Sequence, residues 1–298
     1  MEAVRKASWI SRYVRRLGKI FSGMREAPTF PTIIMLLFLV CGIFGSQIAP
    51  HDPNKTSFRD SLAPPFWMEG GSTKYLLGTD QLGRDMLSRI IVGTKISLEV
   101  GVMVVVFAGL IGATAATVAG YIGGKTDIVI MRLVDMIISF QFLVLAVVLA
   151  AILGASKWNI IYILAGVSWA WYARVLRAEV LSLKERDFIK LAIVAGASKM
   201  RIIVLHIFPN IVNSLVVIAT LNLGTVIIAE ASLSFLGLGV PPPDPAWGSM
   251  VNEGRNYIGQ AWWLCTWPGI AICLVVISFN LMGDWLRVRL DPRFRQTR

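Results

Sequence analysis

The chain is 298 residues long, 55% hydrophobic and only 16% charged, with a mean hydropathy of +0.66, which excludes an ordinary water-soluble domain. Its 29 Lys+Arg against 18 Asp+Glu leave a formal charge of +11, and in a membrane protein that excess is assigned first to the faces of the bilayer rather than to nucleic acid. Disorder, collagen-like repeats and a disulfide-stapled secreted fold are also excluded, because Cys41, Cys265 and Cys273 lie in or beside apolar runs and read as small core hydrophobes.

In chain order, six stretches meet the requirement of about 20 mostly apolar residues for a helix crossing a hydrocarbon core about 30 Å thick. They are 31–49, 97–119, 133–153, 159–173, 211–231 and 265–286. All are apolar on every face, unlike helices of a soluble bundle, so the expected fold is all-α: a polytopic membrane protein with six transmembrane helices. The first stretch begins far from residue 1 and is followed by Pro50 instead of a small-residue cleavage site, so it reads as a retained span and not a signal peptide. This divides the chain into a basic segment 1–30, a six-helix domain 31–286 and a basic tail 287–298. Outer loops are expected at 50–96 and 232–264, and a long cytoplasmic loop at 174–210. With that topology, 21 Lys+Arg fall on the side of the termini and 8 on the other, so both termini are expected in the cytoplasm.

Reactive chemistry is sparse. The two histidines, His51 and His206, fall in loops on opposite faces, so neither a metal cluster nor a His-based triad can be assembled. No catalytic residue, metal or bound cofactor is expected, and no nucleic-acid partner. Residues 119–126 approach a phosphate-binding loop, but Ala119 occupies the first glycine position and a membrane helix precedes it, so this is read as a tight cytoplasmic turn. Asp135, Glu230 and Asp284 sit near span ends and are read as charges reaching the interface or a partner helix. A stand-alone secondary transporter is a distant rival, since no inverted repeat is evident.

On the second span Ala108, Gly112, Ala116 and Gly120 recur every fourth residue, a small-residue ridge that lets another helix approach closely. Gln141, Asn222 and Asn280 fit either a pore lining or helix–helix hydrogen bonds, and the second reading is preferred. In the first outer loop, Asp80 is expected to cap a helix starting near Gln81. That helix would lie along the outer surface, with Leu82, Met86, Leu87, Ile90 and Ile91 on its apolar face and Asp85 paired to Arg89. In the cytoplasmic loop, Asp187 is expected to cap Phe188–Ala195, Gly196 to reverse the chain, Ser198 to cap a second helix and Pro209 to end it. Such an amphipathic element can dock into a groove of a soluble partner or lie in the lipid interface. The proline-rich segment Pro241–Pro245 cannot form a regular helix.

These residues resemble a known family. Ala192, Gly196 and Pro209, within the stretch 187–210, are similar to the EAA loop of binding-protein-dependent ABC importer permeases, although Lys190 and Leu191 stand where the general pattern has Glu and Ala. The stretch from Gly78 to Gly93 resembles the signature of the C-type permease subunit of dipeptide, oligopeptide and nickel importers, and residues 62–72 are most similar to the dipeptide branch. A third match is the run Leu233–Gly239 followed by Pro241, Pro242, Trp247 and Gly248.

The resemblance implies a type I ABC importer permease fold in the plasma (inner) membrane of a bacterium. It implies coupling to an ATPase subunit through Asp187, Phe188, Ala192, Gly196, Ala197, Ser198 and Pro209. The outer-loop family motif comprises Gly78, Thr79, Asp80, Gly83, Arg84, Asp85, Ser88 and Arg89. An outer gate or receptor contact is implied at Pro241, Pro242, Trp247 and Gly248. The implied partners are a second homologous permease subunit, two ATP-binding subunits that carry the ATP and Mg, and an extracytoplasmic solute-binding protein. The implied cargo is a di- or oligopeptide, with nickel or its chelates, glutathione or another small solute as alternatives.

Overall fold

The computed structural model describes residues 27–290; the portions of the two expected basic segments at 1–26 and 291–298 lie outside the described residues. Helix α1 (Thr29–Ile48) leads through a long irregular loop to α2 (Met86–Ile122), whose 37 residues make a rod of about 55 Å. Gly123 and Gly124, at φ +73° and +60°, turn the chain into α3 (Gly124–Ser139), as the tight-turn reading of this segment expected. A bend of 90° separates α3 from α4 (Phe142–Leu153). Helix α5 (Lys157–Lys184) returns to the other end, where α6 (Asp187–Val194) and α7 (Lys199–Ile202) form a short hairpin. A π-helical turn at Ile203–Ile207 joins α7 to α8 (Phe208–Phe235), and the short α9 (Trp247–Gly254) precedes α10 (Trp263–Leu290).

Among the described residues, four helical stretches are long and apolar enough to cross a membrane: Thr29–Ile48, Met86–Ile122, Lys199–Phe235 and Trp263–Leu290. The bent pair α3–α4 makes a fifth if it is one span. Helix α5 extends well past the expected 159–173 and carries Arg174 and Arg177 in its second half. Its charges are met by the neighbouring helix: Arg177 forms a two-pronged pair with Asp127 of α3 at 2.6 Å for both contacts, and Arg174 pairs with Asp135 on the exposed side of the same contact. Asp135 therefore bonds to a neighbouring helix, as one of the two readings of it expected.

The small-residue ridge locates the centre of the fold. Ala108 and Ala116 are fully buried, and Gly112 lies against Tyr172 and the Trp169 carbonyl of α5. A Cβ at Gly120 would stand 2.8 Å from Val180. The close neighbour of α2 is thus α5 of the same chain, and the contact is possible because glycine removes the side chain that would hold the two backbones apart. Lys157 of α5 also reaches Glu99 of α2 at 2.7 Å. Helices α8 and α10 pack on the other flank, where a Cβ at Gly283 would collide with Leu221.

Four expectations fail here. No helix starts near Gln81: α2 begins at Met86, and its N-cap is Asp85, whose side chain accepts from the Ser88 N–H. Asp85 does not pair with Arg89; it bonds Ser88 and faces His51, while Arg89 turns toward Asp80 and Glu253. Pro209 does not end the second loop helix. It sits just past the π-turn at Ile203–Ile207, whose shifted hydrogen bonding carries the helix through a residue that has no N–H to give. Asp187 likewise opens α6 within its first turn without capping it, whereas Ser198 does cap α7, accepting from the Arg201 N–H.

Candidate functional site

At one end of the bundle the α6–α7 hairpin is built from a helix too short to be stable alone, so its anchorage matters. Ile189, Ile202 and Ile207 are buried against Leu176 and Val180 of α5 and Tyr121 of α2, with Ala192 and Ala197 packed at the margin. Gly196 adopts φ +74° at the helix end. The Ala197 N–H reaches the Ala192 carbonyl at 3.0 Å and the Gly196 N–H reaches Ile193 at 2.9 Å, closing the left-handed C-terminal motif that favours glycine. The outward side of this rigid bend is apolar: Phe188, Leu191, Ile193, Val194 and Met200 are exposed, Val194 at 86%. Phe188 also lies against His206, ring centroids 6.3 Å apart.

At the opposite end, the motif in the loop between α1 and α2, expected to be an outer loop, ties a knot. Gly78 and Gly83 take φ +83° and +71°, and a Cβ on Gly83 would collide with the Ser57 carbonyl. Thr79 pairs with Ala63 through both backbone and hydroxyl, and its carbonyl accepts from Trp263 Nε1 at 3.0 Å. Asp80 Oδ1 accepts from the Leu82 and Arg84 N–H groups, and its Oδ2 lies 2.6 Å from Arg84 Nε. Glu253 of α9 receives Arg84 at 2.7 Å, Arg89 at 3.2 Å and Gln81 at 3.3 Å. Two guanidinium groups thus share two carboxylates, with Arg89 only 2% exposed. The His51 N–H donates to Ser88 Oγ, extending the knot back to the end of α1.

Farther out in the same loop, Lys74 and then the Ser57 and Tyr75 hydroxyls hold the Asp60 carboxyl below the usual carboxylate range, while Tyr75 and Asp60 raise Lys74. Sequence reasoning missed Glu253 altogether, since nothing local marks a single acid 164 residues from its arginine partner. Pro241 and Pro242 are exposed in an irregular segment, but Trp247 and Gly248 are buried. The Trp247 indole donates to the Ile90 carbonyl, and Gly248 lies on the Ala231 backbone of α8. These two residues hold α9 in place and are not free to touch a receptor.

Between the two ends, a groove of about 390 Å³ opens at the α3–α4 bend. Ile138, Phe140 and Phe142 come from the bend, Ser168 and Trp171 from α5, and Asn222 and Thr225 from α8. Gln141 is exposed in the bend itself, and Asn222 donates to the Ile218 carbonyl of its own helix, so neither makes the helix–helix hydrogen bond expected of it. Asn280 is exposed on α10. Glu230, by contrast, is 1% exposed, and its carboxyl accepts from Ser234 at 2.8 Å and from Ser97 of α2 at 3.4 Å, so it joins two helices deep in the bundle.

Comparisons with known proteins agree with this architecture. Residues 108–296 match the family described as binding-protein-dependent transport system inner membrane component. The chain is 45% identical over 265 residues to the dipeptide transport system permease protein of Escherichia coli K12, covering 89% of this chain and 87% of that one. It is 42% identical over 264 residues to the di/tripeptide transport system permease protein of Pseudomonas aeruginosa, covering 88% and 87%. Among solved structures, the MetNI methionine ABC transporter in inward-facing conformations gives a TM-score of 0.57 at 19% identity, covering 69% of this chain and 98% of that one, a likeness of fold. With sequence, fold and coverage in accord, this chain belongs to the family of inner membrane components of binding-protein-dependent transport systems.

Proposed function

We propose that this chain is the permease subunit of an ATP-driven importer that moves di- or oligopeptides delivered by an extracytoplasmic solute-binding protein. The single observation that carries the reading is the inner hairpin: a braced bend whose outward face is apolar, at the end of the bundle opposite the outer knot. Leu191, Val194 and Met200 stand out together on this bend, the kind of apolar face that a groove in a soluble partner receives. The relatives named for dipeptide and di/tripeptide transport support the choice of cargo.

In this reading α1, α2, α3–α4, α5, α8 and α10 are six spans with both termini cytoplasmic, and the chain pairs with a second permease to enclose the path. Two ATP-binding subunits bind and hydrolyse the nucleotide, since this chain carries no complete phosphate-binding loop of its own. Closure of those subunits pushes the hairpin. Because Ile189 and Ile202 root it on α2 and α5, the push reaches the long helices directly. The loaded receptor docks on the outer surface around Pro241 and Pro242.

The test is an assembled complex in liposomes carrying Val194→Glu or Gly196→Trp. Gly196 has open space around its Cβ position and Val194 is 86% exposed, so insertion and assembly of the helices are expected to persist. Gly196→Trp additionally strains a positive-φ position. Substrate-stimulated ATP hydrolysis should fall at least tenfold. Unchanged stimulation in both variants would remove the hairpin from the mechanism.

A further inference from the structure

We propose that the groove at the α3–α4 bend is a transit site for the charged backbone ends of a short peptide, with Ser168 and Thr225 as the residues that hold it; the assignment rests on the peptide reading above. Many of the hydroxyls within these helices are already satisfied by their own backbone. Thr94, Thr114, Thr117, Thr220, Ser232 and Ser278 each donate to the carbonyl four residues earlier, at 2.7–3.0 Å. Among the described residues, the Ser168 and Thr225 hydroxyls make no such bond. Ser168 is 7% exposed and its unpartnered hydroxyl lines the groove, while Thr225 lines it from an exposed position on α8.

The bend supplies complementary charge. It exposes the C-terminal end of α3 and the N-terminal end of α4 to the same space, with Phe140 and Phe142 lining it from either side. No side chain caps α4, and its first backbone N–H with an acceptor among the described residues is that of Leu145, which bonds Gln141. The N–H groups ahead of it carry the positive end of one helix dipole, and the last carbonyls of α3 carry the negative end of another. A free peptide is a zwitterion. Its carboxylate fits the α4 end with Ser168 and Thr225 as added donors, and its ammonium fits the α3 end. Asn222 donates to Ile218, which leaves its Oδ1 for a peptide N–H. The lining holds no charged side chain, so a passing peptide is oriented without being trapped by an ion pair.

The experiment uses the full complex with its receptor and ATPase subunits in proteoliposomes, radiolabelled alanyl-phenylalanine as probe, and uptake measured per ATP hydrolysed. Ser168→Ala and the near-isosteric Thr225→Val are each expected to lower uptake per ATP about tenfold, the size of one hydrogen bond to a charged group. Receptor-stimulated hydrolysis should stay within twofold, and Thr225→Ser should restore uptake. Uptake per ATP unchanged in both variants overturns the assignment. So does a parallel loss of uptake and hydrolysis that Thr225→Ser does not rescue, because that marks a packing defect. A wild-type complex that moves no dipeptide refutes the peptide reading itself and this assignment with it, and it does so before any variant is made.

Discussion

Replacing Glu253 by Ala tests whether the outer knot is held by charge. The carboxylate faces Arg84 at 2.7 Å and Arg89 at 3.2 Å, with Asp80 as the other acid in the cluster. Its removal leaves two guanidinium groups, 8% and 2% exposed, sharing one carboxylate, so one buried positive charge goes uncompensated. Breaking a buried pair from one side costs about 3–5 kcal/mol, and the low end applies because Glu253 itself is 26% exposed and water can partly replace it. About 3 kcal/mol corresponds to a shift of roughly a hundredfold in the opening equilibrium of the loop. Hydrogen exchange at the Ser57 and Thr79 amides, which pair with Leu82 and Ala63, should accelerate by that factor while exchange in the middle of α2 stays unchanged. A double variant that also converts Arg89 to Met should recover most of the protection, because the orphaned cation is gone. Equal exchange in wild type and Glu253→Ala, or no recovery in the double variant, would refute the view that ion pairing closes this loop.

Two further expectations follow from local geometry. Gly112→Val should lower the thermal stability of the protein by about 1–3 kcal/mol, since its Cβ would stand 2.8 Å from the Trp169 carbonyl and 3.1 Å from the Ala173 nitrogen; Gly166→Ala, in open space on α5, should leave the melting temperature unchanged or slightly raised. The loop between α1 and α2 should also loosen in acid. The Asp60 pKa is depressed below its ordinary value near 3.8, so the stabilisation from its Lys74, Ser57 and Tyr75 partners is complete above that value and is lost as pH falls through the lowered one. Limited proteolysis with pepsin should therefore cut near residues 57–75 increasingly below about pH 4, and Asp60→Asn should be cut equally at all acidic pH values.

Much of this molecule was legible in the residue order. The apolar runs announced a helical membrane protein because a bilayer leaves backbone groups no partner except their own helix. The ridge from Ala108 to Gly120 announced a close helix contact, and Gly196 with Ser198 announced the hairpin, since positive φ and side-chain capping are local demands that a single residue meets. The motif around Gly78 to Arg89 was recognisable as a unit, but its local logic was misread. Asp80 and Asp85 are equally good N-caps by type, and only the position of Ser57, Ala63 and Trp263 around the loop decides which one starts the helix.

What the chain order could not disclose is which charges cancel across distance. Helix α5 looked short because Arg174 and Arg177 break its apolar run, yet Asp135 and Asp127 of α3 pair with them across the α3–α5 contact. Arg89 looked like a surface residue paired within its own helix, and its partner turned out to be Glu253 on α9. The bend between Ser139 and Phe142 carries neither Pro nor Gly, so no local signal marks it. Hydropathy and capping are properties of neighbours in sequence, whereas neutralisation, burial and the path of a broken helix depend on which distant segments meet, and folding alone decides that.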